Sequence, residues 1–108
     1  MASFRLGEVL ILPFSYTDLQ SRKRRPAVVL VDAGDEDVLV AKITTKAYHS
    51  AYDLTLDHWR EAGLLAPSVV RIHKLLAVEK NHVVQRAGML DPIDLIRLKQ
   101  AFKGLLGD

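Results

Sequence analysis

The stretch Ala27-Val28-Val29-Leu30-Val31 sets five apolar residues in an unbroken row. Such a run, rich in β-branched side chains, reads as a buried strand. Its entrance is unusual. Four consecutive cations, Arg22, Lys23, Arg24 and Arg25, lead through Pro26 into the apolar run, so positive charge collects at the mouth of a strand that belongs in a core.

The rest of the chain reads as short strands closed by one helix. Residues 7–13 (GEVLILP) form a first strand, and the polar residues 14–24 connect it to the second, from about Arg25 to Asp32. The turn Ala33-Gly34-Asp35-Glu36 reverses the chain, and residues 37–45 (DVLVAKITT) pair back as a hairpin. The acidic residues Asp32, Asp35, Glu36 and Asp37 are expected at its solvated tip. Leu54–Leu56 alternates as a short strand. Residues 57–62 suit one helical turn capped by Asp57 and ended by Gly63. Strands follow at 68–78 and 82–90, with Gly88 marking a bulge. Asp91 is a good N-cap, Pro92 fits the first helical position and Asp94 complements the helix dipole. Leu95, Leu98, Phe102 and Leu105 then recur at helical spacing. Trp59 and Phe102 are assigned to packing. The expected class is mainly β with α: a small barrel, SH3-like, with a C-terminal helix packed on it, in one domain over residues 1–108.

Composition narrows the chemistry. The chain has no cysteine, which excludes disulfides and thiolate metal sites. His49, His58, His73 and His82 do not match a compact ligand spacing, and HExxH, Gly-rich nucleotide and GxSxG motifs are absent from the sequence. No metal and no cofactor is expected. No apolar stretch approaches the roughly 20 residues of a membrane span, and the N-terminus lacks a signal-peptide pattern; the expectation is a cytoplasmic protein without a membrane partner. The net charge of +2 hides the basic run, since the other 104 residues carry about −2. A local patch of this kind points to an anionic partner.

Two further features supply candidate chemistry. Strand alternation over 68–74 sets Val70 and Ile72 on one face and Val69, Arg71 and His73 on the other. In the hairpin, the start of one strand lies beside the end of the next, making Arg25 and Thr44 neighbours at one rim. A guanidinium beside a hydroxyl makes a phosphate cradle. Arginine, threonine, histidine and the early carboxylate Glu8 suit phosphodiester work on RNA, where the ribose 2′-hydroxyl is the nucleophile. Arg22, Lys23, Arg24 and Lys46 could track the RNA backbone, and Phe14 and Tyr16 could stack bases.

In order along the chain, GEV, RRPAVVLV, KITT and GLLAPSVVRIHK, followed by a C-terminal helix, resemble the MazF/PemK-like toxins of bacterial toxin–antitoxin systems. The resemblance implies a metal-independent mRNA endoribonuclease on an SH3-like (CcdB/PemK-like) barrel. It implies a homodimer binding single-stranded RNA across the joined face, a cognate antitoxin that blocks that face, and contact with DNA only through the antitoxin. Carried across, the Arg-Pro arginine falls on Arg25, the strand-end threonine on Thr44, the Val-Val-Arg arginine on Arg71 and the first-strand carboxylate on Glu8. Two departures stand out. The loop before Arg-Pro is the basic DLQSRKR instead of a glycine- and glutamine-rich one, and His73 occupies a position where some members carry an acid proposed as general base. Histidine can serve as that base, with a pKa of about 6.5. The competing expectation is a non-catalytic module on the same barrel, binding nucleic acid or a protein partner.

Overall fold

The structure is a computed structural model and describes residues 2–14 and 23–107, with the backbone alone at Phe14 and Lys23. Its elements in chain order are β1 (Glu8–Phe14), β2 (Lys23–Val31), β3 (Asp37–Thr44), β4 (Asp53–Thr55), β5 (Val69–Glu79), a single 3-10 turn at Lys80–His82, β6 (Gln85–Met89) and α1 (Pro92–Leu105). All pairings are antiparallel, in the order β4-β5-β3-β2-β1-β6. The mainly β class with a C-terminal helix is as the sequence indicates. The ladder is not closed, because β4 and β6 at its two ends do not pair.

The unbroken apolar run now has its reason. Val28 and Leu30 pack into one buried cluster with Val9, Ala41, Ile43, Val70 and Ile72, while Ala27 and Val29 pack into a second with Phe4, Leu10, Leu12, Val38 and Val40. Alternate residues of β2 thus serve opposite faces of the sheet, and both faces are covered. The larger cluster lies under α1, with Leu98 fully buried and Leu95, Phe102 and Leu105 packed around it, and Trp59 joins the same cluster.

Helix α1 starts as its sequence requires. Asp91 caps it by accepting a hydrogen bond from the Ile93 N–H at 2.9 Å, and Pro92 follows at the first turn. Asp94, however, is more than a dipole complement. It is fully buried, accepts from the His58 N–H at 2.9 Å and pairs with Arg97 Nη1 at 2.9 Å. Residues 57–62 therefore form turns tied to the helix by Asp94 instead of a helical turn capped by Asp57. Asp57 itself faces Arg97 at 3.2 Å. The expected bulge is present: the β1–β6 register shifts at Val9/Leu10, opposite Gly88 and Arg86. A Cβ on Gly88 would stand 2.5 Å from the Ala62 carbonyl oxygen, so only glycine lets the two backbones meet there.

Asp32 departs from the solvated tip expected of it, whereas Asp35, Glu36 and Asp37 are exposed. Its side chain is only 6% exposed and meets Lys80 Nζ at 2.7 Å, and it also accepts from the N–H groups of Phe4 and Gly34. Lys80, followed by those two N–H groups, holds the carboxyl well below the usual carboxylate range, at about 2. The folded value lies below the unfolded value of about 3.9, so this contribution is complete above about pH 4–5 and is lost as pH falls toward 2. Thermal melts should show Asp32→Asn lowering Tm at neutral pH and flattening the decline of Tm between about pH 4 and pH 2. An equally steep acid decline in the variant would remove Asp32 from that role.

Candidate functional site

At one end of the sheet the second apolar cluster stops and charge takes over. Val38 and Val40 on β3 belong to that cluster, and two and four residues further along the same face stand Lys42 and Thr44. Ala27 pairs with Lys42 across β2 and β3; carried two residues on, the register sets Arg25 opposite Thr44. On the other side of β3, Lys42 pairs with Arg71 and Thr44 with Val69. Four side chains from three adjacent strands, Arg25, Lys42, Thr44 and Arg71, meet in a groove of about 420 Å³ completed by Ile43, Lys46, Tyr48 and Lys74.

The groove carries five cations. Solvent screens their mutual repulsion, and among the described residues a buried anion, Asp53, stands behind Arg71. The Asp53 side chain is 1% exposed, and its Oδ1 accepts from Arg71 Nε at 2.9 Å. Burial alone would raise the Asp53 carboxyl. The Ser50 hydroxyl and N–H, together with Arg71, outweigh it and hold the group below the usual carboxylate range. The Arg71 Cζ lies over the Tyr48 ring, 3.6 Å from its centroid, a cation–π contact. Thr44 Oγ1 accepts from the Lys46 N–H at 3.2 Å, which leaves its own O–H available as a donor.

Not every expected residue is here. Arg24, one position off in the alternation, lines a cleft on the opposite side of β2 with Ile11, Pro26, Thr45 and Leu64. Glu8 sits at the far end of β1, about 13 Å of strand from Leu12, which pairs with Arg25. It is buried, pairs with Arg86 at 3.0 Å and accepts from the Arg5 N–H. With Arg86 stacked on Phe4 and bonded to the Ser3 carbonyl, Glu8 fastens the N-terminal segment. His73 is not among the groove's lining residues. Its ring packs against Tyr52 with centroids 5.4 Å apart, and its buried Nδ1 has no hydrogen-bond partner among the described residues. The reason lies in β5. Its register against β3 jumps between Arg71 and Leu75, and the extra residues break the period of two, so Lys74 lines the groove where simple alternation puts His73. Arg22 and Tyr16, and the side chains of Phe14 and Lys23, lie outside the described residues.

Sequence reasoning missed Lys42, Tyr48, Asp53 and Lys74. Lys42 was legible, two residues before Thr44 on the same face. Lys74 depends on the register shift in β5, Asp53 on the β4–β5 pairing that sets it opposite Arg71, and Tyr48 on the loop between β3 and β4, none of which leaves a local pattern. Among the described residues, no group of three His, Cys, Asp or Glu side chains comes together to hold a metal ion.

By sequence, residues 5–106 match the PemK-like, MazF-like toxins of type II toxin–antitoxin systems. No curated protein matches the chain. Solved structures resemble it along nearly its whole length. An endoribonuclease in complex with its cognate antitoxin from a mycobacterial species is 16% identical, with 97% of this chain and 96% of that one covered at a TM-score of 0.77. The Mycobacterium tuberculosis toxin MazF-mt6 is 23% identical over 92% and 95% of the two chains, with a TM-score of 0.73. A MazE–MazF complex from Deinococcus radiodurans is 19% identical over 94% and 93%, with a TM-score of 0.71. The match over residues 5–106 spans well over half of this chain, so it belongs to that toxin family.

If these cations take up phosphates, affinity for a single-stranded polyanion should fall linearly on a log–log salt plot, and neutralising each contacting lysine should reduce the slope by about 0.7. Filter binding of Lys42→Ala, Lys46→Ala and Lys74→Ala against the parent protein measures this. Unchanged slopes in all three would mean that nucleic acid does not run through the groove.

Proposed function

From its membership in the PemK/MazF-like toxin family, we propose that the protein is an endoribonuclease that cuts single-stranded mRNA without a metal ion, leaving 2′,3′-cyclic phosphate and 5′-hydroxyl ends. The convergence of Arg25, Thr44 and Arg71 on one cationic groove carries the reading, and the likeness to structures described as endoribonucleases supports it. In the reaction the ribose 2′-oxygen forms a bond to phosphorus and the bond to the 5′-oxygen breaks. One proton leaves the 2′-hydroxyl and one reaches the departing 5′-oxygen. Negative charge on the phosphoryl oxygens grows in between, and two guanidiniums fixed in the groove are matched to that charge. Thr44, its oxygen held by the Lys46 N–H, orients the scissile phosphate.

The described lining contains neither carboxylate nor imidazole, so the reading rests on charge stabilisation and leaves His73 outside the reacting set. Two copies are taken to join with RNA across the shared face, as the family resemblance implies. A cognate antitoxin is the second partner. Structures described as holding one support this, and a positive groove suits an acidic segment that folds on binding. The same lack of a described carboxylate or imidazole favours one alternative, a groove that grips RNA without cutting it.

Incubating purified protein with a long single-stranded RNA in EDTA decides between them. We expect discrete fragments with 5′-hydroxyl ends, and a loss of about 100- to 1,000-fold in rate for Arg25→Ala. RNA that is bound but left intact would favour the non-cutting module. His73→Ala should keep most of the activity. A loss beyond about 100-fold, with the disappearance of an acidic limb near pH 6–7, would return His73 to the role of general base.

A further inference from the structure

Arg71 is held from two sides. Its Nε donates to Asp53 Oδ1 at 2.9 Å, and its Cζ rests over the Tyr48 ring, 3.6 Å from the centroid. A carboxylate and a guanidinium commonly meet fork to fork, through two parallel hydrogen bonds. Here the second carboxylate oxygen is already taken: Asp53 Oδ2 accepts from the Ser50 hydroxyl at 2.6 Å and from the Ser50 N–H at 2.9 Å. Asp53 therefore grips Arg71 at Nε alone. Among the described residues, the two terminal nitrogens of Arg71 make no hydrogen bond, and the side chain lines the groove.

We propose that Asp53 is a positioning residue: braced by Ser50, it fixes Arg71 against Tyr48 so that the terminal-nitrogen edge of the guanidinium faces a phosphate in the groove. The proposal rests on the reading of the groove as an RNA site. Its physics follows from the surrounding charge. Arg71 shares the groove with Arg25, Lys42, Lys46 and Lys74, and without a counter-ion behind it, like-charge repulsion would drive its flexible side chain outward. A buried carboxylate, ionised because its hydrogen bonds hold it below the ordinary range, supplies that counter-ion from the side away from the ligand. It also subtracts one charge from the groove, so it improves placement at some expense in raw attraction for a polyanion.

That opposition gives a signature unlike a structural defect. Asp53→Asn should lower kcat about 10- to 100-fold through misplacement of Arg71, with KM for RNA unchanged or lower because the groove becomes more positive. Ser50→Ala should act in the same direction and less strongly. On an Arg71→Ala background, Asp53→Asn should add nothing, because the two residues act as one unit. A raised KM with kcat intact, or equal losses with and without Arg71, would overturn the assignment. A second readout does not need cleavage: the Arg71 side-chain 15N–1H signal followed during titration with inorganic phosphate. The signal should shift in the wild type, with a weaker response in Asp53→Asn. Equal responses, or none in the wild type, would overturn the positioning role. Uncut RNA with the differential phosphate response preserved would remove the ribonuclease reading and still support Asp53 as the organiser of an anion site.

Discussion

A sheet covered on both faces needs apolar side chains at successive positions of its central strands, and wherever the chain stops supplying them the face opens. In this protein the supply ends at one point on both β2 and β3. Ala27 and Val29, like Val38 and Val40, are buried on the face that Arg25, Lys42 and Thr44 share. The groove is thus the polar continuation of a core. Its floor is as rigid as the ladder beneath it, which matters for chemistry that depends on groups already in place when charge develops.

Concentrating five cations in a space of about 420 Å³ is unfavourable for the folded chain on its own. The fold offsets part of this with Asp53, a carboxylate placed behind one arginine, and it uses ion pairs elsewhere to close its seams. Lys80 and Asp32 join β5 to the end of β2, Arg86 and Glu8 hold the N-terminal segment, and Arg97 and Asp94 lock the helix onto the turns after β4. Five cations line the groove, a distribution of charge that suits an anionic ligand.

Much of this was legible in the sequence because strands impose a period of two and caps impose local chemistry. The strands, the bulge at Gly88, the Asp91–Pro92 helix start and the juxtaposition of Arg25 with Thr44 all follow from those rules. Where non-local pairing intervened, the same rules misled. Alternation counted from Arg71 selects His73, yet the shifted register of β5 puts Lys74 in the groove. Asp32 read as a solvated turn residue because its partner, Lys80, lies 48 positions away. Glu8 looked available for a ligand because nothing local announces Arg86. Asp53 meets Arg71 because the β4–β5 register sets the two opposite each other, and Tyr48 comes from the loop before β4; neither contact has a signature in residue spacing. In each case the missing information was a long-range partner.

In the proposed function, Arg25, Thr44 and Arg71 converge on a single phosphate of a bound single strand. The most direct measurement is a crystal structure with a short oligodeoxynucleotide, which lacks the 2′-hydroxyl and so cannot be cut. One phosphate is expected within hydrogen-bonding distance of all three side chains, with the terminal nitrogens of Arg71 facing it and Asp53 still on Nε. A strand bound along another face, with no phosphate in the groove, would contradict it.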